Sequence, residues 1–142
     1  MNVTVASGST YMYQVFAQAY VYATTNYTNS ATPAGPVTIT DAVPLAPSNV
    51  GASAGTVAGT INVTWTDNSN NESGFTVQRS LLSTGAIPTW GAWGAAGTVG
   101  VNVTTFQDTG RITGRSYRYQ VRANSVVGNS LFVGPTNTVV AP

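Results

Sequence analysis

Apolar and polar residues alternate with a period of two along much of the chain. Ile61, Val63 and Trp65 are separated by Asn62 and Thr64, and Phe75 and Val77 by Thr76. Tyr117, Tyr119, Val121 and Ala123 are separated by Arg118, Gln120 and Arg122. Successive side chains of a strand point to opposite faces, so each run predicts a strand with one face in a core. Turn-forming residues at 67–73, 94–97, 108–114 and 124–129 predict the breaks between strands. No stretch sustains a helical period or joins a helix cap to an apolar stripe. Many short strands at this spacing predict an all-β sandwich.

The pattern is written twice. Residues 8–17 read GSTYMYQVFA and residues 114–123 read GRSYRYQVRA, so Tyr11, Tyr13, Gln14, Val15 and Ala17 recur as Tyr117, Tyr119, Gln120, Val121 and Ala123. A Gly-Pro step follows each copy, at Gly35-Pro36 and Gly134-Pro135, and leads to short β-prone runs at 37–40 and 138–140. The offset is about 100 residues, the size of one small β-sandwich. Between the copies, Pro44 and Pro47 stiffen the chain and remove backbone donors, which marks 43–47 as a linker. The expected organisation is the C-terminal part of one sandwich in 1–42, the proline-rich linker at 43–47 and a complete sandwich in 48–142, together a window on a longer tandem array.

Four stretches carry a family likeness: APSNV at the start of the complete copy, INVTWTDNSNNESGF with Trp65, FQDTG, and GRSYRYQVRANSVVGNS near the end. With these, residues 47–140 resemble the fibronectin type III family in its bacterial and archaeal tandem form. The resemblance implies an immunoglobulin-like β-sandwich with Trp65 as the central core tryptophan. It further implies that Tyr117 is the tyrosine-corner residue and Ile112 the apolar residue of the turn it ties down. Residues 1–42 match only the last strands of the pattern. The integrin-binding Arg-Gly-Asp known in the family is absent from 124–129, so that activity does not carry over.

Charge changes the picture by elimination. Charged residues make up 6% of the chain, against about 25% in an ordinary soluble domain. The five basic residues are all arginine, and the formal net charge is +1. No basic stripe can neutralise a run of phosphates, which excludes nucleic acid and electrostatic attachment to anionic membranes. No apolar run approaches a membrane span, so direct membrane insertion is not expected. No basic-apolar leader follows Met1, so an export signal is expected to lie outside this sequence or to have been removed. Cysteine is absent, which excludes a disulfide scaffold and a thiolate metal site.

Candidate chemistry is sparse. Without His, Cys or Lys, the usual general bases and activated nucleophiles are missing, and no catalytic residue, cofactor or metal ligand set is expected. Asp108-Thr109-Gly110 spells an aspartic-protease string, but that chemistry needs two carboxylates sharing a proton and the string occurs once. Asp67 and Glu72 share one polar loop with no second wall to hold a sugar, and are read as solvated. Asp67, Ser69 and Asn71 echo a calcium loop that lacks its central glycine and terminal glutamate. Asn-x-Ser/Thr glycosylation acceptors occur at Asn2, Asn26, Asn62, Asn71 and Asn102. Trp90 and Trp93, in TWGAWGAAG, are candidates for carbohydrate contact by ring stacking. Packing is the more ordinary use of aromatics, with Trp93 at the sheet edge and Trp90 partly covered.

The first copy carries Met12 and Phe16 where the second carries Arg118 and Arg122, and its aromatic alternation continues through Tyr20 and Tyr22. A solvent-facing strand needs cover for such residues, which makes these four candidates for inter-domain or inter-subunit contact. Either the missing strands lie upstream, or a partner chain supplies them by β-augmentation in a filament or layer. The expected function is a non-catalytic structural or spacer module of an extracellular or cell-surface protein, its partners other protein domains or identical subunits. The alternative is an accessory domain of a secreted polysaccharide-degrading enzyme, touching carbohydrate through Trp90 and Trp93.

Overall fold

The computed structural model describes residues 42–142 and the backbone at 10–11 and 37–38. The chain divides into two compact units, Met1–Ala42 and Val43–Pro142. Met12, Phe16, Tyr20, Tyr22, Asn2 and Asn26 lie outside the described residues. In the first unit, β1 (Thr10–Tyr11) pairs antiparallel with β2 (Val37–Thr38), placing Thr10 opposite Thr38 and Tyr11 opposite Val37.

The second unit contains eight strands. They are β3 (Ser48–Ala54), β4 (Ile61–Thr66), β5 (Gly74–Leu81), β6 (Gly94–Val99), β7 (Thr105–Asp108), β8 (Ser116–Ser125), β9 (Gly128–Asn129) and β10 (Val139–Val140). One sheet has the order β3-β4-β7; the other runs β10-β8-β5-β6, with β9 also paired to β8. All pairings are antiparallel, and no helix occurs among the described residues. The β8–β10 register sets Tyr117 opposite Val139 and Ser116 opposite Val140. Tyr11 stands opposite a valine, Val37, as its sequence counterpart Tyr117 stands opposite Val139.

The period-two pattern becomes the inner face of each sheet. Ile61, Val63 and Trp65 from β4 meet Phe75 and Val77 from β5 and Tyr117, Tyr119, Val121 and Ala123 from β8, all buried. Val139 and Ala141 close the same core. Trp65 lies against Phe75 with ring centroids 5.4 Å apart and tilted by 52°, a favourable aromatic geometry. Tyr117 accepts a hydrogen bond at Oη from the Ile112 backbone N–H at 3.1 Å. Ile112 thus meets Tyr117 through its backbone and is itself 59% exposed.

Two of the expected breaks are strand. Residues 94–97 belong to β6, and 124–125 continue β8 before a tight hairpin into β9. The glycines of β6 permit close approach rather than a turn: a Cβ on Gly97 would sit 2.6 Å from Phe106 Cε2 on the facing sheet. The 67–73 and 108–114 segments do connect strands, β4 to β5 and β7 to β8.

Candidate functional site

The polar half of the β5 and β8 pattern forms one outer sheet face. Cross-strand register places Ser80 opposite Arg118, Gln78 opposite Gln120 and Thr76 opposite Arg122. Trp90 is positioned by an isolated bridge to Leu82 and by the neighbouring bond from Gly91 N–H to Leu81 O at 3.0 Å. Ser80 Oγ fixes the same stretch by donating to Gly91 O at 2.6 Å. The Arg118 guanidinium then lies 4.4 Å from the Trp90 ring centroid and 5.1 Å from that of Trp93.

Both tryptophans are half-buried, and the cation they share is what they pack on. Arg118 packs against both rings, which stay partly exposed. Four residues along the same face, Arg122 lies 4.7 Å from the Phe132 ring centroid. Between the two arginines, Gln120 Nε2 donates to Gln78 Oε1 at 2.7 Å. The sequence showed that Arg118 and Arg122 point outward but not that aromatics from the segments 90–93 and 132 fold over them, since those contacts are set by loop geometry.

The other arginines have conventional partners. Arg79 and Arg111 reach Asp108 Oδ1 at 3.4 and 3.3 Å. Arg115 Nη2 donates to Leu82 O at 2.7 Å. Asp108 is buried at 4% exposure and also accepts from Tyr119 Oη at 2.9 Å. Its string begins at the end of β7 and is committed to an ion-paired strut between the sheets, more than an ordinary turn. Burial, and then the facing Asp108 carboxylate, push the Tyr119 hydroxyl far above its usual pKa.

The 67–73 loop is less solvated than its composition suggests. Ser69 N–H donates to Asp67 Oδ1 at 3.0 Å, and Ser69 Oγ to Asn71 Oδ1 at 2.9 Å. Glu72 is buried at 6% exposure and accepts from the Asn102 backbone N–H at 3.3 Å. Burial alone would raise its pKa, but hydrogen bonds from its own and the Asn102 backbone, and from the neighbouring side chains, together hold it below the usual carboxylate value. The oxygens of the calcium-like string are thus engaged in shaping the loop. No cluster of three or more His, Cys, Asp or Glu exists among the described residues. Of the glycosylation acceptors, Asn71 and Asn102 are exposed, whereas Asn62 is half-buried and accepts from Gln107 Nε2 at 3.2 Å.

No protein-family model matches the chain. No curated protein matches it either. Solved structures do. An Fn3-like protein from Clostridium thermocellum is 27% identical, with a TM-score of 0.50 over 71% of this chain and 96% of that one. The FN5 domain of Drosophila Lar is 22% identical, with a TM-score of 0.51 over 70% of this chain and 98% of that domain. The twitchin kinase region from C. elegans is 18% identical, with a TM-score of 0.56 over 71% of this chain, which spans 17% of that structure. With two antiparallel sheets, a core tryptophan and a tyrosine corner in place, the chain carries the fibronectin type III fold.

Proposed function

We propose that residues 43–142 are a non-catalytic structural spacer of an extracellular or cell-surface protein, working through protein–protein contacts in a serial array. The observation that carries this reading is the path of the chain through the sandwich. At one pole, Asn68 Nδ2 of the 67–73 loop donates to Ala46 O at 2.9 Å. Val43 Cγ1 lies within 2.8 Å of a Cβ position on Gly128 in the β8–β9 hairpin of the same pole. At the other pole, Pro142 O accepts from Gly59 N–H at 2.8 Å and from Thr113 Oγ1 at 2.9 Å. The ten residues of β8 separate these poles, a distance of about 30 Å.

A domain with its ends at opposite poles adds length to a chain, whereas adjacent ends suit an insertion into another domain. Both poles also leave apolar side chains uncovered, Leu45 and Val126 at the first and Val57 and Ile112 at the second. Such side chains suit contact with a neighbouring domain. Assembly into a filament or surface layer would use pole-to-pole contact of this kind. Surface placement rests on the fold and on an exterior rich in hydroxyl and amide groups.

The test is small-angle scattering on two copies of 43–142 joined through the native 43–47 segment. A maximum dimension near twice that of one copy is expected. A pair folded back to a compact particle would overturn the spacer reading.

A further inference from the structure

We propose that the outer face of the β10-β8-β5-β6 sheet binds a carboxylate-bearing polysaccharide, with Arg118 and Arg122 as its two anchoring cations. The inference goes beyond the spacer reading and does not depend on it. Of the five arginines, Arg79 and Arg111 share Asp108, and Arg115 donates to a carbonyl. Arg118 and Arg122 have no carboxylate partner among the described residues, and the Nε of each is buried without a hydrogen-bond acceptor. A partly desolvated cation held in this way gains from an anion brought from outside.

The aromatic contacts prepare the two cations for that anion. Stacking occupies the flat face of a guanidinium, as Trp90 and Trp93 do for Arg118 and Phe132 does for Arg122. It leaves the terminal Nη1 and Nη2 N–H groups, which a carboxylate can bridge in a bidentate geometry, while the buried Nε stays out of its reach. Rings on the stem and face fix the orientation, so less side-chain freedom is lost on binding. The two guanidiniums stand four residues apart on one face of β8, roughly 13 Å along the strand. Between them, the Gln120–Gln78 bond leaves the Gln120 carbonyl oxygen and the Gln78 amide nitrogen for further partners. Cation, amide and cation thus form a row suited to an extended chain with spaced acids and hydroxyls between.

A polysaccharide fits this row better than an acidic peptide. β8 is an interior strand, flanked by β5 on one side and by β9 and β10 on the other. Its backbone groups are engaged in the sheet, so a peptide laid along this face finds no strand edge to pair with. Sugar hydroxyls require only the side-chain donors and acceptors present.

Isothermal titration calorimetry on the full chain tests the assignment with polygalacturonate, neutral dextran and polyglutamate. Binding of polygalacturonate that weakens with added salt, with none to dextran, is expected. Arg122→Gln is expected to weaken it by at least about tenfold, because a charge-assisted hydrogen-bonding partner is lost. Arg122→Lys keeps the charge without the planar fork and supplies the comparison if the glutamine variant folds poorly, a several-fold loss being expected. Absence of binding, an affinity indifferent to both Arg122 substitutions, or tighter binding of polyglutamate would overturn the proposal.

Discussion

Tyr119 shows how one residue can be legible in one respect and silent in another. Its place in the alternation of 117–123 marked it as buried, and it is. Nothing in the sequence paired its hydroxyl with Asp108, because that bond crosses between sheets and depends on how they stack. The consequence is measurable. In the unfolded chain a tyrosine ionises near pH 10, while in the folded chain Tyr119 stays protonated well above that. Its contribution to stability is therefore complete below about pH 10 and is lost as pH rises beyond it. Tyr119→Phe is expected to flatten the alkaline fall in melting temperature, while costing about 1–2 kcal/mol at neutral pH through the lost buried hydrogen bond, which leaves Asp108 Oδ2 only its 3.5 Å contact with Arg79. Thermal melts of both proteins between pH 8 and 11 (a range bracketing the free tyrosine pKa of about 10) decide it. A parallel alkaline slope in the variant would refute the assignment. Glu72 carries the opposite sign: its folded pKa is lowered, so its contribution holds above the free glutamate value and disappears as pH falls through the folded one. Glu72→Gln is accordingly expected to shrink the loss of stability on the acid side, read from the same melts extended below about pH 5.

Among the elements, the strands with strict alternation were fully legible, because a half-buried strand must repeat every two residues. β4, β5 and β8 fall where that pattern runs. β6 was not legible, since GAAGTV has no apolar period and its glycines suggest a turn. What makes it a strand is tertiary: it pairs with β5 along five residues, from Phe75 opposite Val99 to Arg79 opposite Gly94, with a register shift between Val77 and Gln78. Gly97 is small there because Phe106 comes up beneath it from β7. Gly97→Ala places a methyl group within 2.7 Å of two ring carbons, so the ring must turn or the sheets must part. A destabilisation of about 1–3 kcal/mol is expected from this overpacking, read as a lower urea midpoint with an unchanged slope. Gly94→Ala is the matched control, since nothing lies within 4 Å of its Cβ position, and it should shift the midpoint far less. Equal effects at both positions would mean that β6 is sensitive to backbone entropy rather than to Phe106. The Trp-Arg row shares this limit of legibility: its strand half was visible in the sequence, and its aromatic half was delivered by the β5–β6 connection and by Phe132.

At the scale of the whole molecule, the tyrosine-strand sequence occurs in both units, and Tyr11 stands opposite Val37 as Tyr117 stands opposite Val139. The second unit holds its own core, both sheets and both ends of its chain path, so it is expected to fold alone. Residues 43–142 should run as a monomer in light scattering after gel filtration, because the few exposed apolar side chains at each pole make too small a patch to hold two copies together without a covalent link. The first copy of the sequence pattern has Met12 and Phe16 where the second has Arg118 and Arg122, with Tyr20 and Tyr22 continuing the alternation, and apolar residues in such a pattern call for cover. If a partner chain supplies that cover, the full chain forms larger species while 43–142 does not, and substituting Met12 and Phe16 with arginine, as at Arg118 and Arg122, returns it to a monomer. Electron microscopy of the large species would then distinguish an ordered filament from amorphous clusters, and only the ordered form supports assembly through repeated identical contacts. A monomeric full chain would refute cover by an identical subunit and leave the spacer reading to stand on the path of the chain through residues 43–142.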